Sequence, residues 1–356
     1  MTLSDAPQTG DLRVTGFQPL VPPNTLRAEL PLGPERAALV EQSRRAVNNV
    51  LAGTDDRLLL VVGPCSVHDP DAAADYARRL AAAAAPLADD LLVVMRVYFE
   101  KPRTTLGWKG LINDPHLNGS HDVELGLRLA RRVLLDVLDT GLPVGCEFLE
   151  PTSPQHLADA VSWGAIGART TESQVHRQLA SGLSMPVGFK NTTDGDLVSA
   201  IDGCRAAAGE HVFFGVDGDG RASIVSTSGN PDCHIILRGG RGGPNYGPDD
   251  VRDALALLAK HGMPERLVVD ASHANSGKDH VRQAEVVREL AARIAAGEPG
   301  LAGVMVESFI EPGRQEPGPL DTLAYGRSVT DACIGWDQTE ALLGELAEAV
   351  RAGRRA

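Results

Sequence analysis

Leu58-Leu59-Leu60-Val61-Val62-Gly63-Pro64-Cys65-Ser66 opens the regular part of this chain. Its apolar residues run on without alternating with polar ones. The run therefore reads as a strand buried on both faces, as in a parallel sheet covered by helices. Gly63-Pro64 stops it, and Asp69-Pro70 then sets a capping carboxylate before a proline at the first helical position. Runs of the same kind return at Leu91–Tyr98, Pro143–Leu149, Ala165–Ala168, Pro186–Lys190, His234–Leu237, Leu267–Val269 and Gly303–Val306. Helix signals fall between them. Ser153-Pro154 repeats the cap-and-proline pair, Thr171 and Gln174 have capping-box spacing before Gly182, and Gly247-Pro248 and Gly262 bracket another helix.

Strands and helices in this rhythm predict an α/β fold, a (β/α)8 TIM barrel of roughly 250 residues, ahead of an open doubly wound sheet. Residues 1–45, rich in proline at Pro22-Pro23, Pro31 and Pro34, read as an N-terminal arm, and 46–356 as the barrel. Val212–Val216 and Ala222–Val225, joined by Asp217-Gly218-Asp219-Gly220, predict a β-hairpin within 211–226, added before the sixth barrel strand.

With 43% hydrophobic and 23% charged residues, the chain has the composition of an ordinary globule. A net charge of −13 argues against nucleic acid as a partner and makes any cationic cluster more informative. Five cysteines without a C-x-x-C pair suggest no disulfide framework. No apolar run approaches the roughly 20 residues of a membrane span. These features point to a reduced, cytoplasmic protein without a membrane partner.

Barrels of this type build their sites at the strand C-termini. An ionisable group stands at or just beyond every one of the expected ends: Cys65, Arg96 with Lys101 and Arg103, Glu147, Arg169, Lys190, Arg238, His273, and Glu307 with Asp331 beyond it. Such groups at a packed mouth carry a desolvation cost unless paired or liganded. They divide by chemistry. Arg96, Lys101, Arg103, Arg169, Lys190 and Arg238 suit two phosphates, or a phosphate and a carboxylate. Cys65, His273, Glu307 and Asp331 combine a thiol, an imidazole and two carboxylates, a set for a divalent first-row metal. Sulfur argues against Mg²⁺ and Ca²⁺, and leaves Mn, Fe, Co and Zn open.

The strings around these residues resemble the type I 3-deoxy-D-arabino-heptulosonate 7-phosphate (DAHP) synthases. They are Gly63-Pro64-Cys65-Ser66, Lys101-Pro102-Arg103-Thr104-Thr105-Leu106-Gly107-Trp108-Lys109-Gly110, Gly167-Ala168-Arg169-Thr170-Thr171-Glu172-Ser173, Gly188-Phe189-Lys190-Asn191, the segment Cys233–Gly240, Ser272-His273-Ala274-Asn275, the segment Gly303–Ser308 and the segment Thr330–Trp336. The resemblance implies an enzyme, a transferase that joins phosphoenolpyruvate to erythrose 4-phosphate and releases phosphate, the first step of the shikimate pathway. It implies metal ligation by Cys65, His273, Glu307 and Asp331. Phosphoenolpyruvate would be held by Arg96, Lys101, Arg169, Lys190 and Arg238 with Glu147 and Ala168 nearby, and the sugar phosphate by Arg103 and Thr104. Lys101, Lys190 and Glu147 are the implied catalytic residues. In relatives the arm and hairpin meet across a subunit interface, which implies a homodimer or homotetramer with a pocket for a feedback amino acid. Gly215 at the subtype position favours tyrosine over phenylalanine, although the acidic Asp217–Asp219 turn departs from relatives. The rival readings are a synthase acting on arabinose 5-phosphate and a catalytically silent regulatory barrel.

Overall fold

A computed structural model describes residues 9–355, so residues 1–8 of the expected arm lie outside the described residues. Helices α1 (Pro23–Glu29) and α2 (Pro34–Ala52) precede the barrel. The barrel then runs β1 (Leu58–Gly63), α3 (Pro70–Ala84), β2 (Leu91–Arg96), α4 (Val123–Leu138), β3 (Val144–Glu147), α5 (Ser153–Leu157), β4 (Trp163–Ile166), α6 (Gln174–Ser181), β5 (Val187–Lys190) and α7 (Val198–Ala207). The hairpin β6 (His211–Val216) and β7 (Ala222–Thr227) interrupts it. It resumes with β8 (Cys233–Leu237), α8 (Pro248–Lys260), β9 (Leu267–Asp270), α9 (His280–Ala295), β10 (Leu301–Glu307) and α10 (Trp336–Gly353). Eight parallel strands close in the order β1-β10-β9-β8-β5-β4-β3-β2, and the hairpin forms a separate antiparallel pair.

The unbroken apolar runs have a direct physical cause. Leu59 and Val61 of β1 point into the barrel and pack with Val94, Trp163, Ile236, Val268 and Met305. Leu58, Leu60 and Val62 point outward into the helix layer with Leu80, Leu134 and Leu346. Both faces are dry, so neither tolerates polar residues.

Helix α2 closes the bottom of the barrel, because Val47, Val50 and Leu51 join the interior cluster. A boundary between arm and barrel at residue 45 therefore falls inside a continuous helix. Two capping expectations are corrected. Asp69 does cap α3, accepting from the Asp71 and Ala72 amides, but Ser153 donates instead to Glu100 Oε2 at 2.8 Å. Thr171 likewise donates to Lys190 O at 2.7 Å, and α6 starts at Gln174 without a side-chain cap. In both places a buried carbonyl or carboxylate at the barrel mouth outcompetes the local helix end for the hydroxyl. The fourth strand begins at Trp163, earlier than Ala165, since Trp163 fills the barrel interior.

Candidate active site

The residues flagged at the strand ends converge at the C-terminal mouth around a cleft of about 110 Å³. Lys101, Arg103, Glu147, Ala168, Arg169, Lys190, Arg238, His273 and Asp331 line it. Thr104 is exposed and lies outside the lining, while Arg103 lines the cleft with Nε donating to Trp108 O at 2.7 Å. Gly167 leaves room for the Glu147 carboxylate: a Cβ there would meet Glu147 Oε1 at 2.5 Å, so a larger residue would push that side chain off the loop.

At one corner the ligand atoms of Cys65, Glu307 and Asp331 lie within 4.8 Å of one another. His273 flanks this trio, with Nε2 3.9 Å from Glu307 Oε1 and Nδ1 2.9 Å from Asp270 Oδ2. Nδ1 lies against both that buried carboxylate and Ser272 Oγ at 2.8 Å, which fixes the imidazole and leaves Nε2 bare toward the corner, the usual support of a metal-binding histidine. The His273 backbone has φ 53°, a left-handed value uncommon for a histidine and typical of functional positions. Burial pushes the Cys65 thiol up, aided by Glu307, while Lys101 draws it down. For Asp331, burial acts upward, but Lys101, Lys278 and His273 bring the carboxyl below its usual range.

The cations lie alongside. Lys101 Nζ donates to Cys65 O at 3.0 Å and faces Cys65 Sγ at 3.1 Å. Arg96 does not line the cleft. Its guanidinium lies fully buried beneath it, stacked on Tyr98 and paired with Glu307 at 2.9 Å. Lys190 pairs with Asp270 at 2.8 Å. Arg238 donates to Gly239 O, yet its buried Nε finds no partner among the described residues. A buried N–H in that condition is costly unless a ligand completes it.

Sequence reading missed Asp270, Lys278 and Glu100. Asp270 is the last residue of β9, one step past the apolar run Leu267–Val269, so a strand-end search extended by one position finds it. Lys278 reaches Asp331 at 3.7 Å from a loop with no motif of its own. Glu100 carries no motif signal in the sequence, yet it is 3% exposed and accepts from Ser153 Oγ and the Glu150 amide.

A closed parallel barrel whose mouth joins a thiol–carboxylate corner to clustered lysines and arginines defines an enzyme that handles small phosphorylated anions. Residues 34–344 match the model of the DAHP synthetase I family. A phospho-2-dehydro-3-deoxyheptonate aldolase of Corynebacterium glutamicum is 57% identical, over 100% of this chain and 98% of that one. The Phe-sensitive enzyme of Escherichia coli is 54% identical over 98% of this chain and 99% of its own, and the Tyr-sensitive one 52% over 94% of each. A solved structure of the Francisella tularensis enzyme superposes with a TM-score of 0.93 at 44% identity, covering 96% of this chain and 99% of that one. The chain belongs to the DAHP synthetase I family, and its activity is that of a DAHP synthase, the condensation of phosphoenolpyruvate with erythrose 4-phosphate in the shikimate pathway. Among the described residues no helix is long and apolar enough to cross a membrane.

Proposed function

We propose that the condensation takes place in the mouth cleft of about 110 Å³, where Asp331 and His273 line the same space as the cationic wall and join it to the buried Cys65 and Glu307 behind; that juxtaposition carries the assignment. Lys101, Arg169, Lys190 and Arg238 receive the phosphate and carboxylate of phosphoenolpyruvate, and Arg96 adds positive charge from beneath. The unpaired Nε of Arg238 supports an anion there. Arg103 and Thr104, at the exposed lip, take the phosphate of the sugar, and Ala168 shapes the wall between them.

The corner fits a divalent first-row ion, held by Cys65, Glu307 and Asp331 with His273 as the fourth ligand. Such an ion, Mn, Fe, Co or Zn, supplies Lewis-acid polarisation of the aldehyde. The enol carbon of phosphoenolpyruvate forms the new bond to the aldehyde carbon, and the former carbonyl oxygen takes up a proton. Lys101 and Lys190 hold the phosphate and carboxylate in place while positive charge develops at the adjacent carbon. Water adds to that carbon and yields its proton to Glu147. The carbon–oxygen bond to phosphate then breaks as the added hydroxyl gives its proton to the departing phosphate, leaving the ketone of the product; the proton taken by Glu147 matches the one gained by the former carbonyl oxygen.

The inner face of the hairpin, with Phe213 and Val225, borders a groove of about 530 Å³ shared with Pro154, Gln155 and Ser184. This is the proposed feedback pocket. Tyrosine is its effector in our reading, supported by Gly215 beside it; the relatives include both a Phe-sensitive and a Tyr-sensitive enzyme. The acidic turn points away from the groove: Asp219 accepts from Asn24 of α1 at 3.0 Å. A homodimer or homotetramer is supported by apolar surface on the arm and the outer hairpin, where Phe17 is 84% and Phe214 93% exposed. A cytoplasmic setting is supported by five cysteines that are all free. The reaction assignment is tested by phosphate release from phosphoenolpyruvate with erythrose 4-phosphate or arabinose 5-phosphate as co-substrate. Turnover with the first alone supports it, and preference for the second overturns it.

A further inference from the structure

At the opposite end of the barrel a second cavity, of about 190 Å³, lies between the end of α2 and the entries to β8 and β9. Its apolar lining comes from Leu51, Ala52, Pro231 and Met263. Two of its polar lining groups are left with N–H donors unmet. The Arg266 guanidinium makes no ion pair or hydrogen bond among the described residues, and its Nε is buried. Burial accordingly holds its pKa below the usual arginine value; the one acid of the lining, Asp232, accepts instead from Asn48 Nδ2 at 2.7 Å.

The other group is His234, 6% exposed. Its Nε2 lies 3.2 Å from Trp163 Nε1, an obligate donor, so Nε2 is the acceptor and Nδ1 carries the proton. That Nδ1 makes no hydrogen bond of normal geometry among the described residues, with only the Asp232 backbone beside it. Burial pushes His234 down to about 4, which keeps the ring neutral in this tautomer. Arg266 also lies over Gly53, the left-handed end of α2, where the helix dipole favours a cation. That field stabilises the charge without satisfying its N–H groups. A buried unmet donor is costly, and two in one cavity call for an acceptor.

We infer that this cavity is a second, non-catalytic ligand site for a small monocarboxylate with a flat apolar body. The carboxylate meets Arg266 and the His234 Nδ1–H, and the body packs on Leu51, Ala52 and Met263. The apolar lining selects such a body over a bare inorganic anion.

Of the four methionines among the described residues, Met263 alone lines this cavity, so its methyl NMR signal reports on the site. Benzoate titrated into the full-length, methyl-labelled protein is expected to shift Met263 saturably, with Met95, Met185 and Met305 unmoved. Arg266→Gln should weaken that binding by about tenfold or more. Ala52→Leu, which fills the cavity edge, should also weaken it, and serves where Arg266→Gln does not fold. An unmoved Met263, or an affinity untouched by either variant, overturns the inference. So does inorganic phosphate shifting Met263 as readily as benzoate.

Discussion

Lys190 Nζ lies 2.8 Å from Asp270 Oδ2, and neither side chain is more than 3% exposed. The same carboxylate oxygen faces His273 Nδ1 at 2.9 Å. One buried aspartate at the end of β9 thus orients a lysine of the cationic wall and the imidazole of the thiol–carboxylate corner. Burial alone would raise its pKa, but His273 and Lys190 together hold the carboxyl well below its usual range.

Asp270→Asn should therefore damage two functions at once. Removing one partner of a buried ion pair costs about 3–5 kcal/mol. Loss of the histidine's supporting carboxylate should weaken metal affinity about 10–100-fold. Urea denaturation and competition with a chelating dye measure the two separately. Unchanged metal affinity would show that Asp270 serves only Lys190.

Glu100 gives a pH signature. Burial raises its carboxyl, and hydrogen bonds from Ser153, Glu150 and Leu149 recover only part, so it titrates at about 7 in the fold against 4.5 in the open chain. With the folded pKa raised, its contribution to stability is full below pH 4.5 and is lost as pH rises through 7. Relative to Glu100→Gln, wild type should lose about 3 kcal/mol between those limits. Urea melts at pH 5 and pH 8 check this. A constant difference between the two proteins would rule out a titrating Glu100.

The lip and the wall should separate kinetically. Arg103→Lys keeps the charge but not the fork, so the KM for erythrose 4-phosphate should rise about tenfold with that for phosphoenolpyruvate little changed. The reverse pattern in steady-state assays would mean that the two subsites are exchanged.

The proposed feedback would act through the hairpin groove. Tyrosine should inhibit turnover more strongly than phenylalanine. A Cβ at Gly215 would come to 2.8 Å from Val225 Cγ2, so Gly215→Ser displaces a groove-lining side chain. That variant should lose tyrosine sensitivity while retaining turnover without effector. Inhibition of wild type by phenylalanine and not by tyrosine would refute the assignment.

The barrel was legible because strands such as Leu58–Gly63 are dry on both faces, which leaves an unbroken apolar run in the sequence. Cys65, Lys190, Arg238 and Glu307 were legible as charges and a thiol at the ends of such runs. What could not be read was competition over distance. Ser153 and Thr171 look like helix caps until Glu100 and the Lys190 carbonyl are brought beside them by the fold. Arg96 looks like a cleft residue until Glu307 and Tyr98 are seen to hold it below the floor. The barrel-closing role of α2 was hidden as well, because it depends on an interior that only the closed sheet creates.

The central claim is that Cys65, His273, Glu307 and Asp331 hold a metal without which the cleft is inactive. Its most direct test is phosphate release from phosphoenolpyruvate and erythrose 4-phosphate by chelated enzyme, before and after Mn²⁺ or Co²⁺ is added back, for wild type and folded Cys65→Ala. The expected result is no turnover in the chelated samples, recovery in wild type, and none in the variant. Full activity of the metal-free wild type would contradict the account.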